Sequence, residues 1–228
     1  MKIIAIVQAR MGSNRLPGKV LKRIRGKPIL WYVIKRLKLS RGIGRIVVAT
    51  SVQKENDAIE KFCKKTKTAC FRGSEADVLK RYYDCAKKEK ADQIIRITAD
   101  CPLIDPNLVD MVIKEHLKKK NQYTATNVES GRHFPRGQDV EIFGFATLER
   151  TNKEAKSRSE REHVTLYITK NPRKFKTQYI NPKKKLKTQD IRLCVDYTDD
   201  FVLIKDIIEF FDPRIGFSLA DIEGFFHR

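Results

Sequence analysis

Four short apolar runs rich in β-branched residues fall within the first hundred positions, each separated from the next by a stretch with helical spacing. They are KIIAIVQA (2–9), RIVVAT (45–50), TACFR (68–72) and QIIRIT (93–98). Continuous hydrophobicity, rather than strict alternation, marks strands covered on both faces, the condition of a parallel sheet between helices. The intervening segments read as helices over 28–40, 56–66 and 74–89. Pro28 suits a first helical turn, and Ser74 followed by Asp77 suits a helix cap. The order β-α-β-α-β-α-β implies right-handed crossovers, and hence an α/β fold of three layers: a mostly parallel twisted sheet flanked by helices.

The pattern loosens after Asp100. A helix is expected over 106–119, a short strand over 123–127, a polar loop SGRHFPRGQ over 130–138 and a strand over 139–145. Helices follow at about 146–155 and 160–170. The stretch 175–196 alternates enough to suggest strands around a lysine-rich turn, and helices over 199–211 and 218–226 close the chain. There is no internal repeat or low-complexity tract. A chain of 228 residues, 41% apolar, suits one domain spanning 1–228.

Several function classes lose support at this stage. The first apolar run, Ile3 to Ala9, is too short for the core of a signal peptide, and nothing else approaches a membrane span, so a cytoplasmic protein is expected. The cysteines at 63, 70, 85, 101 and 194 form no C-x-x-C pair and are expected to be reduced and buried. Cys101 has no histidine near it in sequence to generate a thiolate. H-E-x-x-H and G-x-S-x-G are absent, and the histidines at 116, 133, 163 and 227 are scattered. The net charge of +20 favours anionic ligands. Its lysines are dispersed without aromatic interleaving, which fits a solvated surface better than a nucleic-acid interface.

In open parallel sheets, ligands bind beyond the carboxyl ends of the strands. Three segments converge there. The loop after the first strand, ARMGSNRLPGK (9–19), carries Arg10, Arg15 and Lys19 with glycines at 12 and 18. It is not a Walker loop: five residues rather than four separate its glycines, Val20 follows Lys19, and Pro17 lacks an N–H. The other two segments are TADCPLID (98–105) and CVDYTDD (194–200). Asp100 and Asp196 suit a magnesium site, since that ion takes one or two carboxylates and completes its shell with water and phosphate. A strand end at Asp100 and a turn at Asp196 would explain the same residues without a metal.

The loop resembles the signature A-R-x-x-S-x-R-L-P-G-K of the cytidylyltransferases that activate acidic sugars. Ala9, Arg10, Ser13, Arg15, Leu16, Pro17, Gly18 and Lys19 meet its fixed positions. FRGSEADVLKRYYDCA, IIRITADCPLIDPNLVDMVI, FPRGQDVEIF and SEREHVTLYI extend the similarity over nearly the whole chain, towards the spore-coat polysaccharide branch of that family. The resemblance implies a nucleotide-diphospho-sugar transferase-like fold of GT-A type, with CTP as substrate, Mg2+ as cofactor and a small polar acceptor.

The implied nucleotide-binding residues are Ala9, Arg10, Gly12, Ser13, Arg15, Lys19 and Asp100, with Arg10 and Ser13 near cytosine and Arg15 and Lys19 on the phosphates. Lys19, Arg15 and Asp100 are the implied catalytic residues. Asp100 and Asp196 are the implied metal ligands, Ala99 standing where many relatives have glycine and Tyr197 and Asp199 departing from V-D-T-P-E-D. An excursion over about 128–190 would bind the acceptor and form a homodimer. Arg132 could address the acceptor too, and Arg136, Gln138, Asp139 and His163 are its candidate binding residues. Two other classes remain: a nucleotide-sugar-dependent glycosyltransferase of the same fold, disfavoured because D-x-D is missing, and a non-catalytic nucleotide- or RNA-binding protein, favoured only by charge.

Overall fold

The computed structural model describes residues 1–126 and 131–227. β1 (Ile3–Gln8) lies inside the sheet and contributes to both apolar layers, Ala5 and Val7 to one and Ile4 and Ile6 to the other. A small antiparallel hairpin, β2 (Arg23–Ile24) and β3 (Lys27–Pro28), precedes α1 (Ile29–Leu37). The parallel half continues through β4 (Arg45–Ser51), α2 (Asp57–Lys65), β5 (Ala69–Gly73), α3 (Val78–Lys88), β6 (Gln93–Thr98) and α4 (Pro106–Lys119). The later half supplies β7 (Tyr123–Ala125), β8 (Glu141–Gly144), α5 (Phe145–Glu154), α6 (Arg158–Glu162), α7 (Leu166–Lys170), β9 (Thr177–Tyr179), α8 (Thr198–Phe211) and α9 (Leu219–Phe225).

Seven strands form one sheet in the order β5-β4-β1-β6-β8-β7-β9. β5, β4, β1 and β6 are parallel, and β8 pairs antiparallel with both β6 and β7. One side of the sheet packs against α1, α2, α4, α8 and α9, and the other against α3, α5 and α7, with α6 lying on α3. This is the expected three-layer arrangement. It brings the carboxyl ends of β1 and β6 side by side, with Gln8 opposite Thr98.

Local chemistry moved several boundaries. Pro28 is the last residue of β3 and precedes the helix in an extended conformation, instead of entering its first turn. The third helix begins at Val78, capped by the Asp77 carboxylate, which accepts the Lys80 N–H at 2.8 Å. Ser74 instead accepts the Asp77 N–H at 3.0 Å, so it shapes the turn before the cap. The helix expected over 160–170 is broken at His163 to Thr165 into α6 and α7. Within 175–196 only β9 forms a strand, and the lysine-rich part is irregular, with one isolated bridge from Arg192 to Arg136. The start of the proposed excursion (128–130), the end of the 123–127 strand and the first residue of the 130–138 loop lie outside the described residues.

Candidate active site at the strand ends

The loop after β1 is held by its own backbone. The Met11 carbonyl accepts N–H bonds from Ser13 (2.9 Å) and Gly18 (3.1 Å), while Lys19 N–H donates to Leu16 and Leu16 N–H to the Ser13 hydroxyl. The Met11 N–H is taken by the Asn56 side chain at 2.8 Å, which also holds Ser51 at the end of β4. Several loop amides are thereby committed and Pro17 lacks one, while Arg10, Arg15 and Lys19 supply side-chain cations for an anion. Gly18 sits in the left-handed region (φ 66°), a conformation easy for glycine, and the turn it makes starts the 3-10 segment at Lys19.

Lys19 is nearly buried, and its ammonium lies 2.6 Å from Asp100 Oδ2 and 2.8 Å from Asp196 Oδ1. The two acidic segments are joined by main chain as well, since the Val195 N–H donates to the Asp100 carbonyl at 2.8 Å. Arg15 reaches the same Asp196 oxygen at 2.6 Å, and its guanidinium lies over the Tyr197 ring. Arg192 takes the other Asp196 oxygen at 2.8 Å. Burial works against the charge on Lys19, but the pull of Asp100 and bonds to both carboxylates outweigh it, leaving the ammonium with a raised pKa. Burial likewise opposes ionisation of Asp196, yet Lys19, Arg15 and Arg192 hold it below the usual carboxylate range.

Arg15, Lys19, Asp100 and Asp196 line an open cleft of about 390 Å³ together with Gln8, Arg10, Ser13 and Thr98. Arg10 is largely exposed, 3.9 Å from Glu75 across the cleft wall. A second hollow of about 740 Å³ is lined by Arg96, Arg132, Arg136, Asp139, Glu141 and His163 among others. Arg96 pairs with Glu141 at 2.8 Å and Arg132 with Asp139 at 2.5 Å. Arg96, which lines this hollow, and Thr98, which lines the cleft, are alternate residues on one face of β6, about 7 Å apart along the strand.

Arg10, Ser13, Arg15, Lys19, Asp100 and Asp196 therefore converge, and Arg136, Asp139 and His163 gather next door. Three candidates do not fit their expected places. Ala9 is buried and donates its N–H to Ala49, and Gly12 lies outside the cleft lining, with Glu55 crowding the position a side chain would take. Gln138 is fully buried; its amide accepts the Asp105 N–H at 2.9 Å and donates to the Leu103 carbonyl at 2.7 Å. It is a structural tie. Cys101 is buried, which pushes its thiol well above the ordinary value and suits no nucleophile.

The sequence reading missed Arg192, Asn56 and Gln8. Gln8 ends β1 and lines the cleft, and its amide oxygen is buried without a hydrogen-bond partner among the described residues. The available signal was position alone: the last residue of a central strand in this fold faces the ligand.

The model of the cytidylyltransferase family matches residues 4–213. The chain belongs to the cytidylyltransferase family. An uncharacterized protein of Methanocaldococcus jannaschii is 42% identical over 212 residues, 93% of this chain and 85% of that protein. The spore coat polysaccharide biosynthesis protein SpsF of Bacillus subtilis is 31% identical over 231 residues, 99% of this chain and 94% of its own. Among solved structures, a cytidylyltransferase from Leptospira borgpetersenii superimposes with a TM-score of 0.92 at 34% identity, covering 100% of this chain and 94% of that one. This cytidylyltransferase is thus a CTP-dependent nucleotidyltransferase with the nucleotide-sugar transferase-like fold. Among its described residues no helix is long and apolar enough to cross a membrane.

Proposed function

We propose that the protein transfers CMP from CTP to a sugar acid or related polar metabolite with release of pyrophosphate, using Mg2+, in the synthesis of a surface polysaccharide or glycoconjugate. The observation that carries this reading is the Lys19 ammonium shared by Asp100 and Asp196 within the cleft of the β1 loop. Two carboxylates close enough to bond one small cation fit a magnesium ion that draws its remaining ligands from water and phosphate.

Asp100 and Asp196 would hold the metal, whose chemistry is to neutralise the triphosphate and polarise the phosphoryl oxygens. Arg15 and Lys19 bind phosphate oxygens and stabilise charge developing on the departing pyrophosphate. Arg10 and Ser13, along the cleft wall, hold the nucleoside end. The acceptor occupies the adjoining hollow, where Arg136 and His163 are exposed and Asp139 lies beside Arg132. An arginine fork suits its carboxylate. The seam at Arg96 and Thr98 then brings an acceptor oxygen up to the α-phosphorus for in-line attack. The same reading takes the protein as a cytoplasmic homodimer, its mass in solution to be measured by light scattering.

The test is pyrophosphate release from each of the four NTPs with a panel of acidic sugars, sugar phosphates and polyol phosphates, with and without magnesium. Release with CTP alone, requiring one acceptor class and the metal, is expected. Equal rates with all four NTPs, or none with any acidic sugar, would overturn it. Arg136→Ala and His163→Ala should raise KM for the acceptor while leaving KM for CTP unchanged.

A further inference from the structure

We infer that Arg192 is the positioning residue that aims Asp196 at the metal–nucleotide complex, with Asp200 as its anchor; the inference rests on the metal reading proposed above. Arg192 stands four residues before Asp196, and its planar fork closes a ring of bonds. Its Nη2 donates to Asp196 Oδ2 at 2.8 Å and its Nε to Asp200 Oδ1 at 2.9 Å. Asp200 Oδ2 in turn accepts the backbone N–H groups of Asp196 (2.8 Å) and Tyr197 (2.9 Å) at the start of α8. Asp200 is buried, so the anchor is fixed by the fold. Side chain and main chain of Asp196 are therefore both tied to the same carboxylate.

The division of labour among the three cations on Asp196 follows from where each is attached. Lys19 and Arg15 share Oδ1 and belong to the loop that lines the cleft. Both can turn to phosphate when nucleotide enters. Arg192 does not line that cleft, and its two bonding nitrogens are committed to carboxylates. Once Lys19 and Arg15 move away, Arg192 keeps Oδ2 engaged and leaves Oδ1 directed towards Asp100. A carboxylate without that tether can rotate and offer either oxygen. Partners that orient a ligand in this way typically govern metal affinity by about 10- to 100-fold.

The experiment measures Mn2+ affinity by electron paramagnetic resonance, with α,β-methylene-CTP bound and no acceptor present, for wild type, Arg192→Gln and Arg192→Lys. Arg192→Gln should weaken manganese binding by about 10- to 100-fold. Arg192→Lys should recover part of the loss, because an ammonium restores charge without the fork. Turnover of Arg192→Gln should rise with added magnesium, and KM for CTP at saturating metal should stay within about threefold of wild type. Circular dichroism and melting confirm that both variants fold, and Arg192→Lys carries the test if Arg192→Gln does not. Unchanged manganese affinity in a folded variant overturns the inference. So does weakened CTP binding with metal affinity intact, which would make Arg192 a phosphate ligand. A wild-type protein without a nucleotide-dependent manganese site would instead refute the metal reading and this inference with it.

Discussion

Lys19 and Asp196, 177 positions apart in the chain, meet at 2.8 Å between Nζ and Oδ1. The same ammonium contacts Asp100, so one side chain sits between two acids, and Arg15 and Arg192 share the neutralisation of Asp196. Lys19→Met should therefore lower stability by about 2–4 kcal/mol, somewhat less than a fully buried pair because the cleft is open. Millimolar magnesium should raise the melting temperature of the variant, with the ion replacing the lost charge, and leave wild type nearly unchanged. Differential scanning fluorimetry checks this, and an identical response in both proteins would contradict it.

Asp100→Asn and Asp196→Asn each remove a charge while preserving shape. Each should reduce turnover with CTP by at least about 100-fold without unfolding the protein. A pyrophosphate-release assay at saturating CTP is the measurement. Near-normal turnover in either variant would exclude that residue as an essential ligand.

Gly137 packs its backbone closely against the segment that leads to Asp196. Its φ is +97°, and a Cβ there would lie 2.2 Å from the Leu193 carbonyl oxygen, just below the segment that carries Asp196. The Leu193 N–H also bonds the neighbouring Arg136 carbonyl at 2.7 Å. Gly137→Ala should cost about 3 kcal/mol in urea unfolding and impair turnover together with stability. A variant as stable as wild type would show that the two segments separate easily.

His116 gives the stability a pH dependence. It is buried between Thr124 (3.0 Å) and Gln93 (3.1 Å), and burial lowers its pKa to about 4. The unfolded chain takes up this proton near pH 6.5, whereas the folded protein resists until about pH 4. The contribution is thus fully present above the unfolded value and is lost as pH falls between the two. Its upper bound is about 3 kcal/mol. Urea titrations at pH 7 and pH 4.5 should show a smaller difference for His116→Gln than for wild type; equal differences would assign the effect elsewhere.

The first half of the fold was legible because its signal is local. β1, β4, β5 and β6 lie where continuous apolar runs placed them: β1, β4 and β6 are interior strands that need apolar residues on both faces, and β5 is a half-buried edge strand. α4 matched its expected limits, Pro106 to Lys119, because proline and an aspartate cap mark its start. The 175–196 stretch was harder. Its alternation suggested strands, but most of its residues satisfy contacts with distant segments, such as Leu193 with Arg136 and Val195 with Asp100.

The chain by itself determined the chemistry at hand: a cationic loop after the first strand, acids at two later positions, and a motif tied to those residue types. Tertiary structure decided how they are used. It spent Gln138 on backbone groups, put Lys19 between the two acids and recruited Arg192 through Asp200. Residue type limits which bonds a side chain can form, but only the packing of remote segments settles which partners come within bonding distance and which polar groups are left for a ligand.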